Sequence, residues 1–150
     1  MSPEEELGNH DKSIRLKGYP PEHAKIAFKQ EYYFEAITVL HGFIEQEMRS
    51  LLHLCISVKL NIPIKDGWDI NAKLSYLPLT HVLLITKQIN KNQYDILVSF
   101  NSLRNEVIHR YYYDPYDGEG YEISKIKFAS LFNQALSVVK EIGFRAEDYA

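Results

Sequence analysis

An all-α fold, an up-down bundle of about four to six helices, is predicted by three features of the sequence. Apolar residues recur at helical spacing over residues 33–59, where Ile37, Leu40, Ile44, Met48, Leu51, Cys55 and Val58 form one seam. A second clean stripe, Phe128, Leu131, Phe132, Ala135, Val139 and Ile142, lies near the end of the chain. Strand-type alternation of useful length is absent, as are internal repeats and low-complexity segments. With 150 residues the chain can bury roughly two-thirds of its unfolded surface, enough for one core without disulfide or metal staples.

Residues 1–18 mix E-E-E, Gly8 and scattered Lys and Arg without a period, and read as a loosely ordered arm before a helical domain at 19–150. Pro20-Pro21 opens the first helix, because proline suits a first helical turn; the pattern runs through Ala24, Ala27 and Phe28 toward Tyr32. The long helix over 33–59 is expected to span roughly 40 Å at 1.5 Å per residue. On it Glu45 and Arg49 are four apart with the acid first, the favourable order for a surface pair. N-I-P-I-K-D-G-W, residues 61–68, has Pro and Gly at turn spacing and is expected to end that helix, with Trp68 closing one end of the core.

Asp69 is the expected N-cap of a helix from Ile70 that Pro78 kinks or ends. A further helix is expected over 79–89, then a turn at 90–92 with Asn92 capping a helix over 93–112. D-P-Y-D-G-E-G-Y, residues 114–121, is loop by every local signal. Ser124 can cap the last helix, and Gly143 stands where a C-terminal glycine belongs.

Charge and cysteine usage narrow the class. A formal charge of -3 argues against a general nucleic-acid coat, which needs a basic surface to neutralise phosphates. A local basic cleft is compatible with it, since Arg104 and Arg110 would be doubled in a symmetric dimer. Cys55, the single cysteine, falls on the core seam, so a buried inert thiol is expected. The acidic, polar N-terminus carries no apolar run of the kind a secretory signal needs, and no stretch reaches the roughly 20 apolar residues of a membrane span. A soluble, cytoplasmic protein with no membrane partner is the expectation.

The densest chemistry lies over residues 101–113, N-S-L-R-N-E-V-I-H-R-Y-Y-Y. At about 100° per residue, Ile96, Phe100, Leu103, Val107 and Tyr111 fall on a core-facing stripe. Val98, Asn105, His109 and Tyr112 fall opposite, on a face neither plainly solvated nor plainly apolar. Asn105 and His109, four apart, can share a hydrogen bond that would orient the imidazole. Arg104 and His109 diverge by roughly 140° on an ideal helix, so they converge only if the helix distorts, if the arginine bends round, or if two chains face each other. The tyrosines Tyr111, Tyr112, Tyr113, Tyr116 and Tyr121 can stack on bases or simply pack the loop; Tyr112 shares the face of His109, and Tyr112 with Arg110 are the candidate RNA contacts.

Other side chains read as structural. His41, inside the long seam, is by default a hydrogen-bonded core histidine, though one near a cleft could assist catalysis. His53 and His81 read as surface or bundle-edge residues. His41 and Glu45 have metal-ligand spacing without a third ligand, so no metal is expected. G-E-G in the loop lacks the lysine and helix start of a phosphate cradle, and no G-x-S-x-G nucleophile elbow is present.

Arg104, then His109 after four intervening residues, then Tyr111 resembles the signature of HEPN domains, most closely of the HepT-type toxins in that superfamily. Arg104-Asn105 with His109 also resembles the commoner R-N-x-x-x-H form of the motif. The resemblance implies a helical bundle that dimerises so that two motifs meet in a cleft. It implies a ribonuclease that needs neither metal nor cofactor, with Arg104 and His109 catalytic and Asn105 orienting, and a setting in a toxin-antitoxin or antiviral system. It also implies that Tyr111 is a candidate for modification, receiving AMP from a minimal nucleotidyltransferase antitoxin. The competing expectation is a non-catalytic helical module of the same kind that binds a nucleotide or a partner protein.

Overall fold

The computed structural model describes residues 13–113 and 122–149. Residues 1–12 of the expected arm lie outside the described residues, as does the expected loop at 114–121 with Tyr116 and Tyr121. Among the described residues there are six α-helices and no strand: α1 (Pro20–Lys29), α2 (Tyr33–Leu54), α3 (Ile64–Asn71), α4 (Tyr76–Ile85), α5 (Lys91–Tyr113) and α6 (Lys125–Glu147). A π-helical turn, Cys55–Lys59, continues α2. Residues 13–18 are non-helical and exposed.

Helix α2 is the spine. It packs against every other helix, while α4 and α6 each also pack on α5. Ile37, Leu40, Ile44, Met48, Leu51 and Cys55 are fully buried, as the periodicity predicts. Burying each such aliphatic side chain is worth about 1.5–3 kcal/mol, so this row is the chief source of the bundle's cohesion. Phe28 of α1 stacks on Phe132 of α6 with ring centroids 4.9 Å apart, and Tyr33 meets Phe128 edge-on at 5.1 Å.

Val58 departs from the seam, being 58% exposed, whereas Ile56 is buried. A π turn takes more residues per revolution than an α turn, so the phase slips after Cys55 and Val58 rotates to solvent. Leu60 N–H donating to Cys55 O at 3.0 Å and Ile62 N–H donating to Ile56 O at 3.1 Å close this wider turn.

Helix reversals are made by residues other than glycine. Glu31 (φ 65°), Asn61 (φ 55°) and Lys87 (φ 60°) are left-handed, a conformation costing an ordinary residue about 1–2 kcal/mol. At Glu31 and Lys87 the bonds are those of a Schellman ending. Tyr32 N–H donates to Ala27 O at 2.9 Å and Glu31 N–H to Phe28 O at 3.0 Å, with Gln88 to Leu83 at 2.8 Å and Lys87 to Leu84 at 3.0 Å as the counterpart.

The middle of the chain corrects several expectations. Helix α3 begins at Ile64, inside the stretch expected to be a turn, and Asp69 lies within it rather than capping a helix from Ile70. Gly67 is there because of packing: a Cβ at that position would stand 2.6 Å from Ile56 Cγ2. Trp68 is 47% exposed and does not close the core. Pro78 neither kinks nor ends a helix; it occupies the first turn of α4, and the first backbone bond, Leu79 N–H to Ser75 O at 3.0 Å, begins at the next residue. No intrahelical acceptor exists for a donor in that position, so proline costs little there.

Helix α5 is capped by Asn90, not Asn92. Gln93 N–H donates to Asn90 Oδ1 at 2.8 Å and Asn90 N–H to Gln93 Oε1 at 2.9 Å, a reciprocal capping box. Ser124 caps α6 as expected, accepting from Lys127 N–H at 3.2 Å. Gly143 does not end that helix, which continues to Glu147.

Candidate functional site

Helix α5 carries the site, and its apolar side fixes the phase of everything else on it. Leu97, Phe100 and Leu103 are buried, and Ile96 and Val107 are half-buried. The centre of the buried face is thus one residue later than Ile96, which carries Asn101 inward as well; it is 7% exposed. Tyr111, expected on the core stripe, is 61% exposed. The spine helix begins only at Tyr33, so at the level of Tyr111 the bundle has little left to cover it. Instead Tyr111 lies on Phe34 with centroids 4.4 Å apart and 27° between planes, and Tyr112 meets Phe34 edge-on at 5.8 Å.

Of the expected site residues, Arg104 and Asn105 are brought together: Arg104 Nη1 donates to Asn105 Oδ1 at 3.1 Å. Arg104 is half-buried, and its Nε is enclosed without an acceptor among the described residues. Asn105 and His109 are exposed, so in the single chain their face is more solvated than expected, and Arg110 is half-buried. Helix α5 is α-helical through Tyr113, so distortion of the backbone does not bring Arg104 round to His109. Within one chain the two side chains leave the helix in directions roughly 140° apart.

Beneath Arg104 lies a buried polar layer. His41 Nε2–H donates to Asn101 Oδ1 at 2.8 Å. Its ring is stacked on Tyr76 at 4.2 Å and 12°, and Tyr76 in turn donates its hydroxyl to Leu97 O at 3.0 Å. Burial, and then the Arg104 guanidinium, push the His41 pKa down from its ordinary value; the Asn101 hydrogen bond and Glu45 oppose them less strongly. His41 is therefore a neutral core imidazole, as its place in the seam predicts. Burial also pushes the Tyr76 hydroxyl well above its usual range, with Glu45 adding to the effect.

The partner of His41 was the missed residue. A histidine inside an apolar seam requires a buried acceptor or donor, and Asn101, four after Leu97 and three before Arg104, stands at core spacing. Glu45 is occupied by Arg49 at 3.7 Å, the helix-surface pair expected from the sequence. Among the described residues no group of His, Cys, Asp and Glu is arranged to hold a metal ion, and no helix is long and apolar enough to cross a membrane.

Arg110 and Tyr111 also line a groove of about 860 Å³ between the start of α2 and the end of α5, floored by Val107 and Ile123. The site thus has an exposed imidazole on one face of α5, a half-buried guanidinium on its flank, and an aromatic groove at its C-terminal end. Comparison with known protein families, with characterised proteins and with solved structures finds no match.

Proposed function

We infer that this chain is an endoribonuclease of the HEPN type, acting without metal as a homodimer and serving as the toxin of a toxin-antitoxin or antiviral system. The observation that carries the reading is the state of the motif on α5. Arg104 is held against Asn105 at 3.1 Å with its stem enclosed, while His109 stands exposed on the next turns of the same rigid helix. A guanidinium fixed in this way is preorganised for a phosphate. An imidazole open to solvent can reach a proton on a substrate.

The chemistry follows from those two groups. The 2′-OH of a ribose attacks its own 3′-phosphate, with His109 accepting the hydroxyl proton or delivering one to the departing 5′-oxygen. Arg104 stabilises the charge that grows on the phosphorane oxygens. The P–O5′ bond breaks, leaving a 2′,3′-cyclic phosphate and a 5′-hydroxyl. Because the nucleophile belongs to the substrate, no metal-activated water is needed. With the backbone regular, the convergence of an arginine and a histidine is best supplied by two copies of α5, Arg104 of one facing His109 of the other.

The half-burial of Arg104 beside His41 favours a second reading, in which the arginine braces the bundle end and the chain is a non-catalytic module for a nucleotide or a partner protein. One assay separates the two. Purified protein is incubated with RNA in the presence of EDTA, beside His109→Ala. Cleavage by the wild type that persists in chelator and falls at least about a hundredfold in the variant is the expected result. Undiminished cleavage by the variant, or cleavage that EDTA stops, removes the reading. Growth arrest on expression of the wild type, relieved in His109→Ala, is the corresponding result in cells. Adduct formation at Tyr111, the remaining part of the proposal, is checked by mass spectrometry after co-expression with a minimal nucleotidyltransferase.

A further inference from the structure

The groove at the end of α5 has a composition that the cleavage chemistry of Arg104 and His109 does not use. At about 860 Å³ it is within the usual range for a small-molecule site. Tyr111 rests one ring face on Phe34 at 4.4 Å and is 61% exposed, so its other face is an aromatic platform. Tyr32, 60% exposed, also lines the groove. Arg110 lines the same space from the adjacent position of α5. Aromatic faces beside a guanidinium match a nucleobase carrying a phosphate.

Glu31 supplies the discriminating group. It occupies the left-handed position that ends α1, φ 65°, where glycine is preferred, and it lines the groove. Its Oε1 meets Lys125 Nζ at 3.4 Å, with both side chains largely exposed, a surface pair that exchanges readily for another donor. A second acid at the groove, Glu35, is tied to His23 Nε2 at 2.6 Å. With Lys125 beside Glu31 and the Glu35 carboxylate already hydrogen-bonded to His23, phosphate can approach Arg110. A carboxylate is an acceptor only. Guanine alone among the four RNA bases presents adjacent N–H donors, N1–H and N2–H, on its Watson–Crick edge. Adenine and cytosine each place an acceptor beside their amino donor, and uracil has one donor between two carbonyls.

We propose that this groove is a guanine-nucleotide subsite, in which the base stacks on Tyr111, Glu31 accepts from N1–H and N2–H, and Arg110 faces the phosphate. The nucleotide unit can come free from solution or as one residue of an RNA strand. The second source rests on the ribonuclease reading and makes guanine the base at a fixed distance from the cut.

Isothermal titration of the full chain with GMP, AMP, CMP and UMP tests the groove directly. The expected result is GMP binding at least about tenfold tighter than the others. Glu31→Gly removes the carboxylate while suiting the left-handed backbone, so its melting temperature should equal or exceed that of the wild type as the guanine preference shrinks to less than about twofold. Tyr111→Ala should weaken all four nucleotides alike. Equal affinity for the four, or a guanine preference that survives Glu31→Gly, overturns the proposal. Sequencing of cleaved RNA ends distinguishes the sources: GMP preference with a guanine bias at a fixed offset assigns the groove to the RNA strand. GMP preference with no RNA cleavage leaves a site for free guanine nucleotide and removes the ribonuclease reading. Cleavage without either preference overturns the groove and leaves the ribonuclease standing.

Discussion

His41 is the residue at which the fold and the candidate site meet, and its protonation couples them to pH. Its pKa in the folded chain is depressed, first by burial and then by Arg104, whereas in the unfolded chain it returns to about 6.5. Above that value both states hold a neutral ring and the stability is fully present. As pH falls through about 6.5 the unfolded chain takes up the proton first, so stability is lost progressively toward the lower folded value. Urea midpoints at about pH 7.5 and pH 5.5 should therefore differ more for the wild type than for His41→Gln; equal differences would remove His41 from the account. Asn101→Leu, which strands the His41 N–H, should cost about 1–3 kcal/mol at neutral pH. In the proposed reaction, Arg104→Lys keeps the charge but loses the planar fork, so it should be nearly as poor as alanine. The Arg104→Ala, His109→Ala double variant should be little worse than the worse single, because groups acting as a unit are not additive. Residue types and spacing singled out Arg104, Asn105 and His109 as candidates. The buried Asn101 was not, because its role depends on a helix sixty positions away in the chain.

At the scale of the element, apolar periodicity, the Pro20-Pro21 start of α1 and the Ser124 cap were legible, whereas Asp69 and Asn92 as caps, and Gly67, Pro78 and Gly143 as breaks, were misleading. Apart from Val58, which the π turn rotates to solvent, the seam of the long helix and the α6 stripe place their residues on the packed side, because a continuous apolar face must be buried whatever surrounds it. Ser124 caps for local reasons and so was readable. Gly67, Pro78 and Gly143 looked like punctuation, yet each sits inside a helix: Gly67 because Ile56 leaves no room for a Cβ, Pro78 because the first turn needs no donor there, and Gly143 with no close neighbour that requires glycine. Their substitutions should diverge accordingly. Gly67→Ala drives a methyl against Ile56 Cγ2 and should cost about 1–3 kcal/mol. Gly143→Ala meets only Glu47 Oε2, at 3.9 Å, and should stabilise by roughly 0.5–1 kcal/mol. Thermal unfolding of the pair checks both signs; a destabilised Gly143→Ala would contradict the continuity of α6.

For the whole molecule, the proposed two-fold assembly uses the face of Val98, Asn105, His109 and Tyr112, which opposes the buried side of α5. A symmetric interface brings such a patch against itself, so Tyr112→Glu should oppose like charges and shift the protein toward monomer. Light scattering at micromolar concentration reads the result, and a wild-type monomer there would sink the assembly. The spine has a different consequence, measured in time. Since α2 touches every other helix, an amide proton near Leu40, Ile44 or Met48 can reach solvent only when the whole bundle opens, and its deuterium uptake should follow global unfolding. Among the described residues helix α3 leans mainly on α2 and the π turn, with Ile64, Trp68 and Ile70 already in solvent. Its amides should exchange through local openings far faster, so that the same molecule keeps a slow clock in its spine and a quick one at its edge.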